Sequence, residues 1–90
     1  MKNDVTLEIA PYLRPFVGNN DRVVVSGATF RDCLYDLIAQ YPDIKEWLFD
    51  IHGTLKAIIV MNHKIITLKD LDSKICGNDH IKIIMPLGGG

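Results

Sequence analysis

Apolar and polar residues alternate strictly over Val5-Thr6-Leu7-Glu8-Ile9. A period of two puts Val5, Leu7 and Ile9 on one side of an extended chain, so a first strand with one buried face is expected here. Pro11 and Pro15 bound the next stretch, in which Tyr12, Leu13, Phe16 and Val17 either pad the edge of a core or form an exposed patch. Gly18-Asn19-Asn20-Asp21 is dense in turn-forming residues. Arg22-Val23-Val24-Val25 then reads as a second strand, joined to the first by a hairpin or an open loop.

The period changes after Ser26-Gly27. Phe30, Cys33, Leu34, Leu37, Ile38 and Tyr41 fall at offsets of 0, 3, 4, 7, 8 and 11, a single apolar stripe along a helix. Thr29 is placed to cap the first turn with its hydroxyl, and Asp32 stands where a capping box carries its acid. Pro42 stops the helix, because the residue before a proline is pushed out of the α region. A short helical turn follows over residues 44–49, with Trp47 at the edge of the core. Residues 55–61 form the most apolar run in the chain and are too short for a typical helix, which predicts a central strand buried on both faces. Asn62-His63 is then the turn of a hairpin into Lys64-Ile65-Ile66, with His63 required to adopt positive φ. Leu68 and Leu71 can anchor a compact crossover. Gly77-Asn78-Asp79 turns into a final strand, His80-Ile81-Lys82-Ile83-Ile84-Met85, which Pro86 ends by removing a backbone donor.

Two strands, a helix, two strands, a turn and a last strand make an α+β chain. The expected fold is a β-grasp, with a mixed sheet of about five strands and one main helix packed on one face. Residues 1–85 form that domain, and residues 86–90 a flexible glycine tail. Three successive glycines lose too much backbone freedom to sit inside a helix or strand, and with no Cβ they pass through a channel that excludes even alanine. Five extended residues reach on the order of 16 Å at ~3.3 Å each, far enough to carry a terminal carboxylate into another protein's active site.

Composition narrows the function. Ten basic and eleven acidic residues give a net charge of -1 with no basic stripe, so nucleic acid is not an expected partner. No apolar run approaches the length of a membrane span and the start does not lead into a secretory signal, so a cytoplasmic protein is expected. Cys33 and Cys76 form no CxxC pair; Cys33 belongs on the buried helix face and Cys76 in a loop. His52, His63 and His80 lie in separate elements without ligand spacing, so no metal site is expected. Asp32 and Asp36 share one helical face as a solvated flank rather than an acid/base pair.

Gly27-Ala28-Thr29 opening the helix, Val60-Met61-Asn62 entering the hairpin, Gly77-Asn78-Asp79 before the last strand and Pro86-x-x-Gly89-Gly90 at the end together resemble one family. It is that of the small ubiquitin-like sulfur carriers, which includes the small subunit of molybdopterin synthase and the carriers of the thiamine and cysteine pathways. The likeness covers nearly the whole chain. It departs at His63, where glycine is usual.

What the resemblance implies is a carrier rather than an enzyme. An ATP-dependent activating enzyme, similar to ubiquitin-activating enzymes, adenylates the Gly90 carboxylate. Sulfide or a persulfide sulfur replaces AMP to give a thiocarboxylate, and a biosynthetic enzyme accepts that sulfur. Gly88 and Gly89 supply slender backbone for entry into active sites, and Leu87 and Phe16 are the candidate docking residues. No cofactor is bound by the carrier itself; ATP is used by the activating partner. Tyr12-Leu13-Arg14 resembles the segment of carriers serving cysteine or related amino acids, whose acceptor is a pyridoxal-phosphate enzyme. The alternative within the class is the small subunit of molybdopterin synthase, with the large subunit as partner. From another class, a ubiquitin-like protein modifier or a non-covalent binding module remains open.

Overall fold

The structure, a computed structural model, describes residues 3–75, 77 and 79–84. Asn3–Ile9 forms β1, Arg22–Gly27 β2, Ile58–Met61 β3, Lys64–Ile66 β4 and Ile81–Ile84 β5. They make one mixed sheet in the order β2-β1-β5-β3-β4. β1 and β2 are antiparallel with Val5 opposite Val25, β5 lies parallel to β1, and β3 runs antiparallel to both β4 and β5. Phe30–Gln40 is α1, and its stripe of Phe30, Cys33, Leu34 and Leu37 is buried against the sheet. This is the β-grasp arrangement expected from the pattern.

Alternation decides which side of the sheet is covered. Val5, Leu7 and Ile9 of β1, Val23 and Val25 of β2, Ile59 of β3 and Ile81 and Ile83 of β5 all turn inward and are buried. Thr29 caps α1 as expected, its hydroxyl accepting from the Asp32 N–H at 3.2 Å. Among the described residues no return bond from the Asp32 carboxylate to the Thr29 N–H accompanies it, and the Asp36 and Gln40 side chains reach β2 instead. The Asp36 carboxylate accepts from Ser26 N–H at 2.8 Å and Gln40 donates to the Val24 carbonyl at 2.9 Å. Asp36 is therefore more than a solvated flank: with Gln40 it occupies the Ser26 N–H and the Val24 carbonyl on the outer edge of β2, two groups that another strand would otherwise use.

Residues 55–61 do not form a central strand buried on both faces. β3 covers only Ile58–Met61, lies beside the edge strand β4, and buries Ile59 alone of its four residues, since one face of the sheet is uncovered. The central position belongs to β5. The hairpin from β3 to β4 turns where expected, with φ of 51° at Asn62 and 72° at His63.

Pro11–Val17 is a 3-10 helix that buries Leu13 and Val17 and leaves Tyr12 exposed. The turn expected over residues 44–49 is a 3-10 helix at Pro42–Ile44 continued by α2, Lys45–Leu48, with Ile44 and Leu48 buried. Leu71 is buried beneath a further 3-10 turn, Leu68–Asp70. Cys76 and Asn78 lie outside the described residues.

Gly27 stands at the close approach of β2 to α1. A Cβ there would lie 2.7 Å from Cβ of Asp32 and 2.8 Å from the Cys33 backbone nitrogen, so the first turn of α1 would have to move. Gly27→Ala is expected to lose about 1–3 kcal/mol by overpacking, and Thr29→Ala about 1 kcal/mol by loss of the cap. Denaturant titration checks both, and a Gly27→Ala protein as stable as the parent contradicts the packing described.

Cys33 is buried on α1, and desolvation, aided by Asp32 and Asp36, pushes its thiol from 9.0 up to about 11. A raised folded value means that the thiolate is favoured in the unfolded chain. Its contribution to stability is therefore complete below pH 9.0 and is lost as pH rises towards about 11. Thermal melts over that range are expected to fall, with a shallower decline for Cys33→Ala; identical slopes for the two proteins go against the assignment.

Candidate functional site

The residues singled out for chemistry, Gly88, Gly89 and Gly90, lie outside the described residues, as does the docking candidate Leu87. The site that can be built is the platform from which they depart. β5 reaches it hydrogen-bonded on both sides. Leu7, Glu8 and Ile9 pair with Ile81, Lys82 and Ile83, while Met61, Val60, Ile59 and Ile58 pair with Ile81, Lys82, Ile83 and Ile84. The ladder continues past the end of β1, where Ala10 N–H donates to the Ile83 carbonyl at 3.0 Å. Ile81 and Ile83 are held in the core, so Ile84 is fixed in place up to the last described residue of the strand.

On the uncovered face the two halves of the sheet differ. Towards β1 and β2 the surface is charged: the Glu8 carboxylate lies 3.4 Å from Lys82 Nζ and 4.0 Å from His80 Nε2, with Arg22 opposite Glu8 on β2. Towards β3 and β4 it is apolar. Ile84 faces Ile58, Val60 sits across from Lys82, and Ile65 on β4 faces Val60, with Ile65 and Ile84 both exposed. An apolar strip thus starts at the root of the terminal segment and crosses to the edge of the sheet.

Two further pieces close on this end. The Pro11–Val17 helix follows directly from β1, and Arg14 Nε donates to the Ile9 carbonyl at 3.0 Å, tying that helix to the strand end. Phe16 is half-buried against the core, and its ring lies 4.8 Å from that of Trp47 on α2, tilted by 34°. Lys56 donates to the Glu46 carbonyl at 2.8 Å while its ammonium stands 6.0 Å from the Trp47 ring centre. Phe16 thus lies on the helix that follows the end of β1, and part of its surface already supports the fold. An acidic substitution there would disturb the core along with any interface.

Charge shifts elsewhere do not point to acid/base chemistry. Asp70 is held below its ordinary value chiefly by the Thr67 N–H and hydroxyl, and Asp72 by hydrogen bonding to Arg31, whose Nε lies 2.8 Å away. Both carboxylates serve structural contacts, and an exposed ion pair such as Arg31–Asp72 contributes little. Among the described residues no group of three or more His, Cys, Asp or Glu is placed to hold a metal ion, and no helix is long and apolar enough to cross a membrane.

Reading the run around β3 as buried on both faces hides this apolar strip. The signal was present in the alternation of Ile58 and Val60 with Ile59, and of Lys82 and Ile84 with Ile83. Only the strand register shows that these alternations meet.

Comparison with known proteins agrees with this geometry. The fold resembles CysO, an antigen of Mycobacterium tuberculosis, at 31% identity and a TM-score of 0.81, over 92% of this chain and 99% of that one. It resembles small archaeal modifier protein 1 of Methanosarcina acetivorans at 25% identity and a TM-score of 0.81, over 100% of this chain and 99% of that one. A chain of the BexX/CysO complex of Amycolatopsis orientalis shares the fold at 23% identity and a TM-score of 0.80, over 96% of this chain and 99% of that one. No protein of curated function matches the sequence. The sequence pattern of the ThiS family matches residues 9–90, from the end of β1 through the final glycine, and the chain therefore belongs to the ThiS family of ubiquitin-like sulfur carriers.

Proposed function

We propose that this chain carries sulfur on its own Gly90 carboxyl carbon, in the cytoplasm. A carboxylate is a poor acyl donor, because its charge is shared by two oxygens and oxide does not leave. An ATP-using enzyme of the ubiquitin-activating type joins the Gly90 carboxylate to AMP and releases pyrophosphate, so that AMP becomes the leaving group. Hydrosulfide attacks the carbonyl carbon, the C–O bond to AMP breaks, and a thiocarboxylate remains. An acceptor enzyme takes that sulfur onto the carbon of its substrate, and hydrolysis returns Gly90 to the carboxylate. The carrier supplies the reacting carbon, and Gly88 and Gly89 supply backbone narrow enough to enter both enzymes.

The observation that carries this reading is the ThiS match running through residue 90, over Pro86-x-x-Gly89-Gly90. The geometry supports it, because the terminal segment leaves from a strand fixed at the centre of the sheet. Ordering the tail costs about 1–2 kcal/mol per residue. Leu87, together with the exposed Ile84 of β5, supplies apolar contact to offset that cost at the activating enzyme. Within the class, synthesis of cysteine or related sulfur amino acids is favoured by Tyr12-Leu13-Arg14 and by the 31% identity to CysO. A second reading, attachment of Gly90 to lysines of other proteins, is favoured by the 25% identity to a small archaeal modifier protein.

Intact mass spectrometry separates them. Incubated with ATP, sulfide and its adenylating enzyme, the chain is expected to gain the mass difference between sulfur and oxygen at Gly90, and a version lacking Gly89 and Gly90 to gain nothing. ATP-dependent products of high mass in extract would favour the modifier. Sulfur delivery by the truncated chain would rule out the carrier reading.

A further inference from the structure

Arg14 stands beside the end of β5, in the 3-10 helix that follows β1. Its Nε donates to the carbonyl of Ile9, the residue that pairs with Ile83, and Ala10 N–H donates to the Ile83 carbonyl. Arg14, Ile83 and Ile84 line one cleft of about 280 Å³, together with Glu8 and Lys82. The Arg14 side chain is half-buried and held at Nε, while its two Nη groups donate to none of the described residues. The five donors of a guanidinium form a planar fork, and here the Nη edge is left for another acceptor.

The charge of the cleft decides what that acceptor is. Three charged side chains line it, those of Glu8, Arg14 and Lys82. The Glu8 carboxylate lies 3.4 Å from Lys82 Nζ and 4.0 Å from His80 Nε2, and no ion pair among the described residues includes Arg14. The cleft therefore keeps one positive charge in excess, and a half-desolvated guanidinium with open donors takes a carboxylate in preference to a neutral group. The place of the cleft decides who brings that carboxylate. Ile84 forms part of its wall, and residues 85–90 continue from Ile84. Six extended residues reach on the order of 20 Å at ~3.3 Å each, so a protein that encloses the Gly90 carboxyl carbon stands within that distance of the cleft. Both readings of Gly90, sulfur transfer and attachment to lysine, first require the carboxylate to be activated, whereas the later acceptors differ. The activating enzyme is the partner common to both.

We infer that Arg14 docks the activating enzyme, its Nη edge receiving a carboxylate side chain of that enzyme beside the mouth of the channel that admits the tail. This inference rests on the activation of Gly90 proposed above. Because Nε is already bonded to the Ile9 carbonyl, the fork is oriented before the partner arrives, and little side-chain freedom is lost on binding.

The test is ATP–pyrophosphate exchange by the purified activating enzyme, with the full-length chain as the varied substrate. Arg14→Gln is expected to raise KM about tenfold with kcat nearly unchanged, and to weaken the rise of KM with salt. Arg14→Lys loses the fork but keeps the charge, so its KM is expected to fall between the two and to keep the salt dependence of the parent. Lys69→Gln, which removes the same charge from the turn after β4, is expected to leave KM near the parent. A KM for Arg14→Gln equal to that of the parent overturns the inference. So do equal KM values for Arg14→Lys and Arg14→Gln with unaltered salt dependence, which leave Arg14 a structural role alone, and so does an equal rise for Lys69→Gln. A Gly90 carboxylate whose NMR titration in the free chain shifts on Arg14→Gln also overturns it, because the guanidinium is then held by the chain's own terminus. Deletion of Gly89 and Gly90 separates the inference from the proposed function. If the deletion abolishes exchange while Arg14→Gln does not alter KM, only the docking role fails; if the truncated chain still supports exchange, the activation of Gly90 itself fails.

Discussion

The structure depends on the lateral hydrogen bonding of β5. A final strand at the edge of a sheet would be held by one neighbour and could peel away. Here the last strand is inserted between β1 and β3, parallel to one and antiparallel to the other, with Ile81 and Ile83 turned into the core. To release it, both ladders must break and two buried isoleucines must enter water, each worth about 1.5–3 kcal/mol of burial. β5 is thereby held from both sides through Ile83, with Ile84 paired to Ile58.

The same insertion organises the surface. Placing β5 centrally gives it two unlike neighbours on the uncovered face: the charged Glu8 and Arg22 on one side, and the apolar Ile58, Val60 and Ile65 on the other. The covered face needs only α1 and the short helices, because Leu13, Val17, Ile44, Leu48 and Leu71 fill the corners around the main stripe. Two backbone groups on the outer edge of β2, the Ser26 N–H and the Val24 carbonyl, are occupied by side chains of α1. Among the described residues, the exposed apolar surface includes the strip of Ile84 and Ile65, Val24 on β2, Tyr35 on α1 and Ile51 in the loop before β3.

Much of this was legible without coordinates. The alternation in β1, the stripe and cap of α1, the Asn62-His63 turn and the closing Pro86-x-x-Gly89-Gly90 each follow from local chemistry, and local chemistry is what a sequence displays. The misreading of residues 55–61 has a physical cause. A run of apolar residues reports how much burial is available, but whether a strand is central depends on which strands flank it. The neighbours of β3 are β4, just across the Asn62-His63 turn, and β5, which is distant in the chain and takes the central place between β1 and β3. Pro11–Val17 was ambiguous for a similar reason, since a 3-10 helix has too few turns to show a period. The contact of Phe16 with Trp47, 31 positions later, is not readable from either residue.

The central claim is that the strand bearing the tail is the most firmly held part of the domain. Native-state amide hydrogen exchange, followed residue by residue with increasing denaturant, tests it most directly. The account predicts that the hydrogen-bonded amides of β5 exchange only through global unfolding, with the same free energy and denaturant dependence as the best-protected amides of β1. Exchange of β5 through local opening, insensitive to denaturant and faster than that of β1, would contradict it.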